Sequence, residues 1–183
     1  MESIEQMWRA LEAWLSATKP ALLGELRGPA SNSDFLLLEG VVPHPLPQEL
    51  LDSWRQHDGE DYQSEFVFGG LRRLLPIREA IEQSHDYSRS AKRRGTFERS
   101  TEIRTSGSIM PFDWTDLWCP FLLDNTVLYC VDLWPAPGGN VGQVIVVDHE
   151  ALHLYRVAPD FRTFFERAFE ATRLGAPWPF TSR

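Results

Sequence analysis

His149-Glu150-Ala151-Leu152-His153 satisfies the pattern H-E-x-x-H. On a helix this spacing places two imidazoles one turn apart on a single face. There they hold zinc while the glutamate activates water. Here the apolar run 144–147 precedes the pattern and 154–157 follows it, with β-branched residues on both sides. That context predicts two strands and a hairpin turn, which cannot present two histidines one helical turn apart. No histidine lies downstream to complete a ligand set, and Asp160, Glu166 and Glu170 fall at or in a helix of their own. A zinc metallopeptidase is therefore the weakest of the readings, and no metal site is assigned.

The other candidate groups are equally explained by structure. Cys119 precedes Pro120 within a predicted strand, with no helix N-terminus to lower its pKa. Cys119 and Cys130 fall on consecutive strands and read as two buried thiols. Residues 138–142, Gly-Gly-Asn-Val-Gly, resemble a phosphate loop only in composition, because no helix follows and no lysine sits among them. Asp124 and Asp132 could pair near one hairpin. Turn capping accounts better for the first, and hydrogen bonds to neighbouring backbone for the second. No catalytic residue and no cofactor are assigned.

Charge narrows the partners. The 183 residues carry 18 basic and 26 acidic side chains, a net charge of −8, which disfavours a nucleic-acid platform. Residues 86–104 hold six basic against three acidic side chains, a local +3, so the rest of the chain stands at −11. No apolar run approaches the roughly 18 residues of a membrane span, and no signal peptide is recognised. The expectation is a reduced, cytoplasmic protein.

The elements that must position these groups read as follows. Ile4, Met7, Trp8, Leu11, Trp14 and Leu15 form one apolar stripe on a helix over 3–17. Ser31 or Ser33 caps a second helix through Glu39, closed by Gly40. Pro47 opens a third, over 48–57, ended by Asp58-Gly59. Residues 65–68 and 71–75 read as short strands, and Pro76 starts a helix through Ile81. Residues 84–110 are polar and basic and are expected to be a long mobile insertion, with some helix near 88–94. Strands follow at 118–123, 127–133, 143–147 and 152–157, then a helix opened by Pro159 with a phenylalanine stripe. Helices, then strands joined by short turns, then a helix give an α+β fold with a mostly antiparallel sheet of five to six strands. The chain reads as a single domain over 1–183.

This order of stations resembles the SUKH superfamily, which includes the Smi/Knr-type cell-wall assembly regulators. The stations are the opening helix with Trp8, Glu12 and Leu15; Leu22-Leu23 and Gly28-Pro29-Ala30 leading to Phe35 and Glu39; Leu46-Pro47-Gln48-Glu49-Leu50 with His57-Asp58-Gly59; and Leu74-Leu75-Pro76-Ile77. Trp118-x-Pro120-Phe121, Asp124, Tyr129, Asp132, Pro135 and Gly142-Gln143-Val144 come next, then Phe161, Phe164 and Phe165. Asn125-Thr126 departs from the glycine-bearing turn of the family, although asparagine tolerates a left-handed conformation. The resemblance says nothing about 84–110.

The resemblance implies a protein-binding, non-catalytic domain. Bacterial members are often immunity proteins that occlude secreted polymorphic toxins, and fungal relatives organise cell-wall synthesis. The acidic body suits a basic toxin domain. The candidate contacts are Asp58, Glu60, Asp61 and Glu65 after the third helix, with Asp132 and Asp148. The alternative is a regulator or scaffold that binds a cellular protein through its aromatic excess and the basic segment 86–104.

Overall fold

Residues Val144–Val147 are buried without exception, and a strand that is apolar on every position needs cover on both faces. A computed structural model, which describes residues 2–62, 65–94 and 102–180, supplies that cover. The strands are β1 (Arg72–Leu74), β2 (Arg104–Ser106), β3 (Trp118–Asp124), β4 (Val127–Asp132), β5 (Gln143–Asp148) and β6 (His153–Ala158). They form one sheet in the order β1-β3-β4-β5-β6-β2. All neighbours pair antiparallel except β2, which runs parallel to β6 at the edge. The fold is α+β with a mostly antiparallel sheet, as the order of elements implies.

Four helices precede the sheet: α1 (Ile4–Thr18), α2 (Pro20–Leu23), α3 (Asn32–Val41) and α4 (Gln48–Gln56). Ser3 and Ser31 each close a capping box, with Gln6 and Asp34 as the reciprocal partners. Pro20, two residues past the end of α1, begins the extra short helix α2, because proline's missing N–H costs nothing in a first turn. Gly40 lies inside α3 rather than closing it, and Val42 is the C-cap. Pro47 is the residue before α4 rather than its first.

Alternation along β4 sorts the two faces. Tyr129 meets Phe164 of α6 (Phe161–Leu174), with ring centroids 5.7 Å apart. Phe121 of β3 meets Phe161 and Phe164 edge-on at 5.1 Å. Cys130 and Asp132 point the other way, towards the face where α5 (Ile77–Arg94) and the segment before β3 lie. There Trp114 stands edge-on to Trp118 at 5.8 Å and stacks on Tyr87 of α5 at 5.1 Å. Asn125 closes the β3–β4 hairpin at φ 56°, the left-handed conformation that asparagine accepts.

Three expectations change. Residues 65–68 form turns, so that only Arg72–Leu74 is a strand in this region. Residues 84–94, expected within a mobile insertion with helix only near 88–94, continue α5 without a break. Residues 104–106, expected in the same insertion, are the edge strand β2. The middle of that stretch, 95–101, lies outside the described residues. The reason α5 escapes a hydrophobicity reading is that its inward stripe is small: Ile77, Ala80, Ile81, Ser84, Ser88 and Ala91 recur at helical spacing, yet only two of them are large.

Candidate functional site

The six acids singled out as partner contacts divide into two groups. Asp58, Glu60 and Asp132 are buried, which takes them off the surface. Asp61 and Glu65 are exposed, and Asp148 is half-buried.

Each buried acid is occupied by backbone donors. Asp58 follows α4 and its Oδ1 accepts from Ile77 N at 2.8 Å, so it caps the start of α5 from a distance. Glu60, 1% exposed, takes Val67 N on Oε1 at 2.7 Å and Leu74 N on Oε2 at 2.8 Å. One carboxylate thereby ties Val67, midway along the connection, to Leu74 at the end of β1. Burial pushes its pKa up to about 7, against the opposing pull of those two hydrogen bonds and of Arg73. Burial also raises Asp58, while the Ile77 N–H opposes it. Gly59 between them sits at φ 73°, with Pro76 N only 2.5 Å from where a Cβ would be, so no other residue fits this crossing without moving backbone.

Asp132, at the end of β4, is fully buried. Its Oδ1 accepts from Trp134 N at 2.9 Å and its Oδ2 from Gln143 Nε2 at 2.9 Å. Gln143 Nε2 also donates to Ser108 O at 2.9 Å. These bonds tie the turn after β4 to the segment before β3. Burial raises the Asp132 pKa, and the Gln143 and Trp134 donors pull against it. Trp118 Nε1 is buried without a partner in hydrogen-bonding geometry, yet its proximity also favours the Asp132 anion. Asp148 has a local task as well: its Oδ1 accepts from Ala151 N at 2.9 Å and closes the β5–β6 turn.

His149, Glu150, Ala151 and Leu152 lie on that turn and His153 opens β6, as the strand context predicts. Asp148 pairs with His153 across the ladder, and Leu152 takes φ 48°. His149 stacks on Tyr87 of α5 at 4.3 Å and 13°, with Nδ1 3.5 Å from Asp113 Oδ1. His153 Nε2 instead meets Ser106 Oγ of β2 at 2.9 Å. The two imidazoles thus serve different neighbours, and among the described residues no group of three or more His, Cys, Asp or Glu could hold a metal. Cys119 and Cys130 are free and buried; burial pushes Cys119 up to about 12 and Cys130 well above its usual value, so neither is a ready nucleophile. The glycine loop leads into a strand, not a helix. No described helix is long and apolar enough to cross a membrane.

Sequence reasoning missed the setting of the exposed acids. Tyr62, beside Asp61, is 83% exposed, its ring 6.2 Å from Phe66 and 5.8 Å from the Arg73 guanidinium. Asp61 lies 3.8 Å from Arg27, and Glu65 pairs with Lys19 at 2.5 Å. A large aromatic beside acids in a polar loop was the available signal.

Fold and site together define an α+β protein whose internal carboxylates hold its own loops, with acids and an aromatic displayed outside. The chain belongs to the SMI1 / KNR4 family (SUKH-1), whose family model matches residues 29–167. A curated relative is the cell wall biosynthesis/cell cycle regulator smi1 of Schizosaccharomyces pombe (strain 972 / ATCC 24843). It is 26% identical over 177 residues, which cover 88% of this chain and 34% of the relative. The chain therefore spans about a third of that relative's length.

Proposed function

We propose that this chain is a non-catalytic protein-binding domain, and that it acts as an immunity protein by occluding a basic toxin domain. The observation that carries this reading is Tyr62 standing exposed beside Asp61, with Glu65 close by, on a body whose charge outside 86–104 is −11. Aromatic anchors beside complementary charge are the usual centre of a protein interface, and an acidic field speeds encounter with a basic partner. Asp148 is a further contact on the same reading. Membership of a family of protein-interaction domains supports it.

The test is rescue. A host poisoned by the toxin encoded beside this gene survives when the chain is co-expressed. Asp61→Lys with Glu65→Lys abolishes survival, while the purified variant still folds. Survival of the poisoned host with the double variant, or no rescue by the unaltered chain, counts against the reading.

A second reading is a regulator that binds a cellular protein in cell-wall synthesis. The fission-yeast relative, a cell wall biosynthesis/cell cycle regulator, favours it. A pull-down from the source cell that repeatedly returns a housekeeping enzyme, without rescue from any neighbouring toxin, selects this reading over the first.

A further inference from the structure

We propose that the cleft between α3 and α5 docks an acidic peptide segment of a protein partner, which inserts apolar side chains between the two helices. The cleft encloses about 410 Å³. Leu38, Val41 and Val42 of α3 form one apolar wall, and Ile81 with Trp118 lies at its floor. The facing lip is cationic. His85, Arg89 and Lys92 follow one another at i, i+4 and i+7 along α5, so all three project from the same face. Arg93 extends the basic surface beyond the cleft.

Charge decides the occupant. Arg89, Lys92 and Arg93 of α5 stand together on a chain of net charge −8, so an acidic segment is repelled elsewhere and attracted here. Arg89 pairs with Asp86 one turn back, but its side chain is 74% exposed. Such a surface pair is weak and exchanges readily for a partner's carboxylate. Asp116, exposed two residues before β3, also lines the cleft and is its one acidic lining residue. A phosphate backbone or an anionic bilayer would match the cationic lip and leave the Leu38–Val41–Val42 wall unused. This site shares no residue with the Asp61, Tyr62 and Glu65 surface, so its failure and the failure of the toxin reading are separate results.

The experiment is fluorescence anisotropy with the full chain and a labelled helical peptide bearing Leu at i and i+4 and Glu elsewhere. Two controls are the same peptide with Lys for Glu, and a peptide with the Glu retained and Ala for Leu. The Leu/Glu peptide is expected to bind at least about tenfold tighter than either control, with an affinity that falls as salt rises. Arg89→Glu with Lys92→Glu is expected to weaken it by about tenfold or more with an unchanged melting temperature. Ser84→Trp, which fills the cleft and changes no charge, is expected to weaken it as well. The proposal is overturned if the Lys peptide binds equally, or if both variants bind as the unaltered chain does. It is also overturned if phosphatidylserine vesicles or duplex DNA bind the chain in preference to the peptide, or if the cleft proves to be closed by a second copy whose association the double variant abolishes.

Discussion

Gln143 Nε2 donates to Asp132 Oδ2 at 2.9 Å and to Ser108 O at 2.9 Å, so a single amide joins the β4–β5 ladder to the segment that covers its face. Both side chains are fully buried, and an unpaired donor or acceptor there has no water to turn to. Asp132→Ala is expected to lower stability by about 3 kcal/mol, since it strands the Trp134 N–H and half of the Gln143 amide. Gln143→Leu is expected to cost about 2 kcal/mol. The double variant should lose less than the two single losses together, with a coupling of about 1–2 kcal/mol by urea denaturation. Additive losses would mean that the pair does not act as a unit.

The sheet is legible in the sequence because its strands are β-branched runs between turn residues, and Val144–Val147 has no polar position that would leave one face in water. The helix α5 is only half legible, since serine and alanine fill its inward stripe and a stripe of small residues looks like a loop. The acids were harder still. Glu60 reads as one more member of an acidic run, and nothing nearby in sequence says that it will meet Val67 N seven residues on and Leu74 N fourteen residues on. Asp61, its neighbour, points out to Arg27 instead. Which of two adjacent carboxylates turns inward is settled by where Val67 and β1 come to lie, and that is a tertiary fact.

Glu60 gives the fold a pH signature. Its folded pKa of about 7 lies above its ordinary value of 4.5, so the folded chain holds a proton that the unfolded chain has released. The stabilising contribution is therefore complete below 4.5 and is lost as pH rises to about 7. That difference corresponds to about 3 kcal/mol. Glu60→Gln cannot titrate. Its stability should start lower, because an amide cannot accept from both backbone donors with two oxygens, and it should lack this slope. Urea denaturation at pH 4.5, 5.5 and 7 compares the two slopes. Parallel curves would remove Glu60 as the source.

His149 is a packing residue, which distinguishes it from a zinc ligand by experiment. Its ring lies 4.3 Å from that of Tyr87 and fastens α5 to the β5–β6 turn. His149→Ala is expected to cost about 1–2 kcal/mol in denaturant. Glu150, exposed on the turn, has no such role, and Glu150→Gln should leave stability within about 0.5 kcal/mol. A chelator should leave the melting temperature of the unaltered chain unchanged. A drop on chelation, reversed by zinc, would restore the metal reading.

Residues 176–180 close this side of the sheet, and Trp178 is their anchor. After α6 ends at Gly175, with φ 61°, the chain turns back along the sheet. Trp178 Nε1 donates to Tyr129 Oη at 2.8 Å, and the Arg72 guanidinium lies 4.6 Å from the Trp178 ring. Two residues on, Phe180 stacks on Phe164 at 4.6 Å, and its carbonyl accepts from Tyr129 Oη at 3.4 Å. The tail therefore covers the α6 side of the sheet with two rings and two hydrogen bonds to one hydroxyl, and Arg72 of β1 lies against the first ring. Trp178→Ala is expected to cost about 3 kcal/mol. Trp178→Phe keeps most of the ring and loses only the N–H, at about 1 kcal/mol. Truncation after Gly175 removes Phe180 as well and should cost more than Trp178→Ala alone. If the truncated chain unfolds at the same urea concentration as Trp178→Ala, Phe180 adds nothing and Trp178 alone is the clasp.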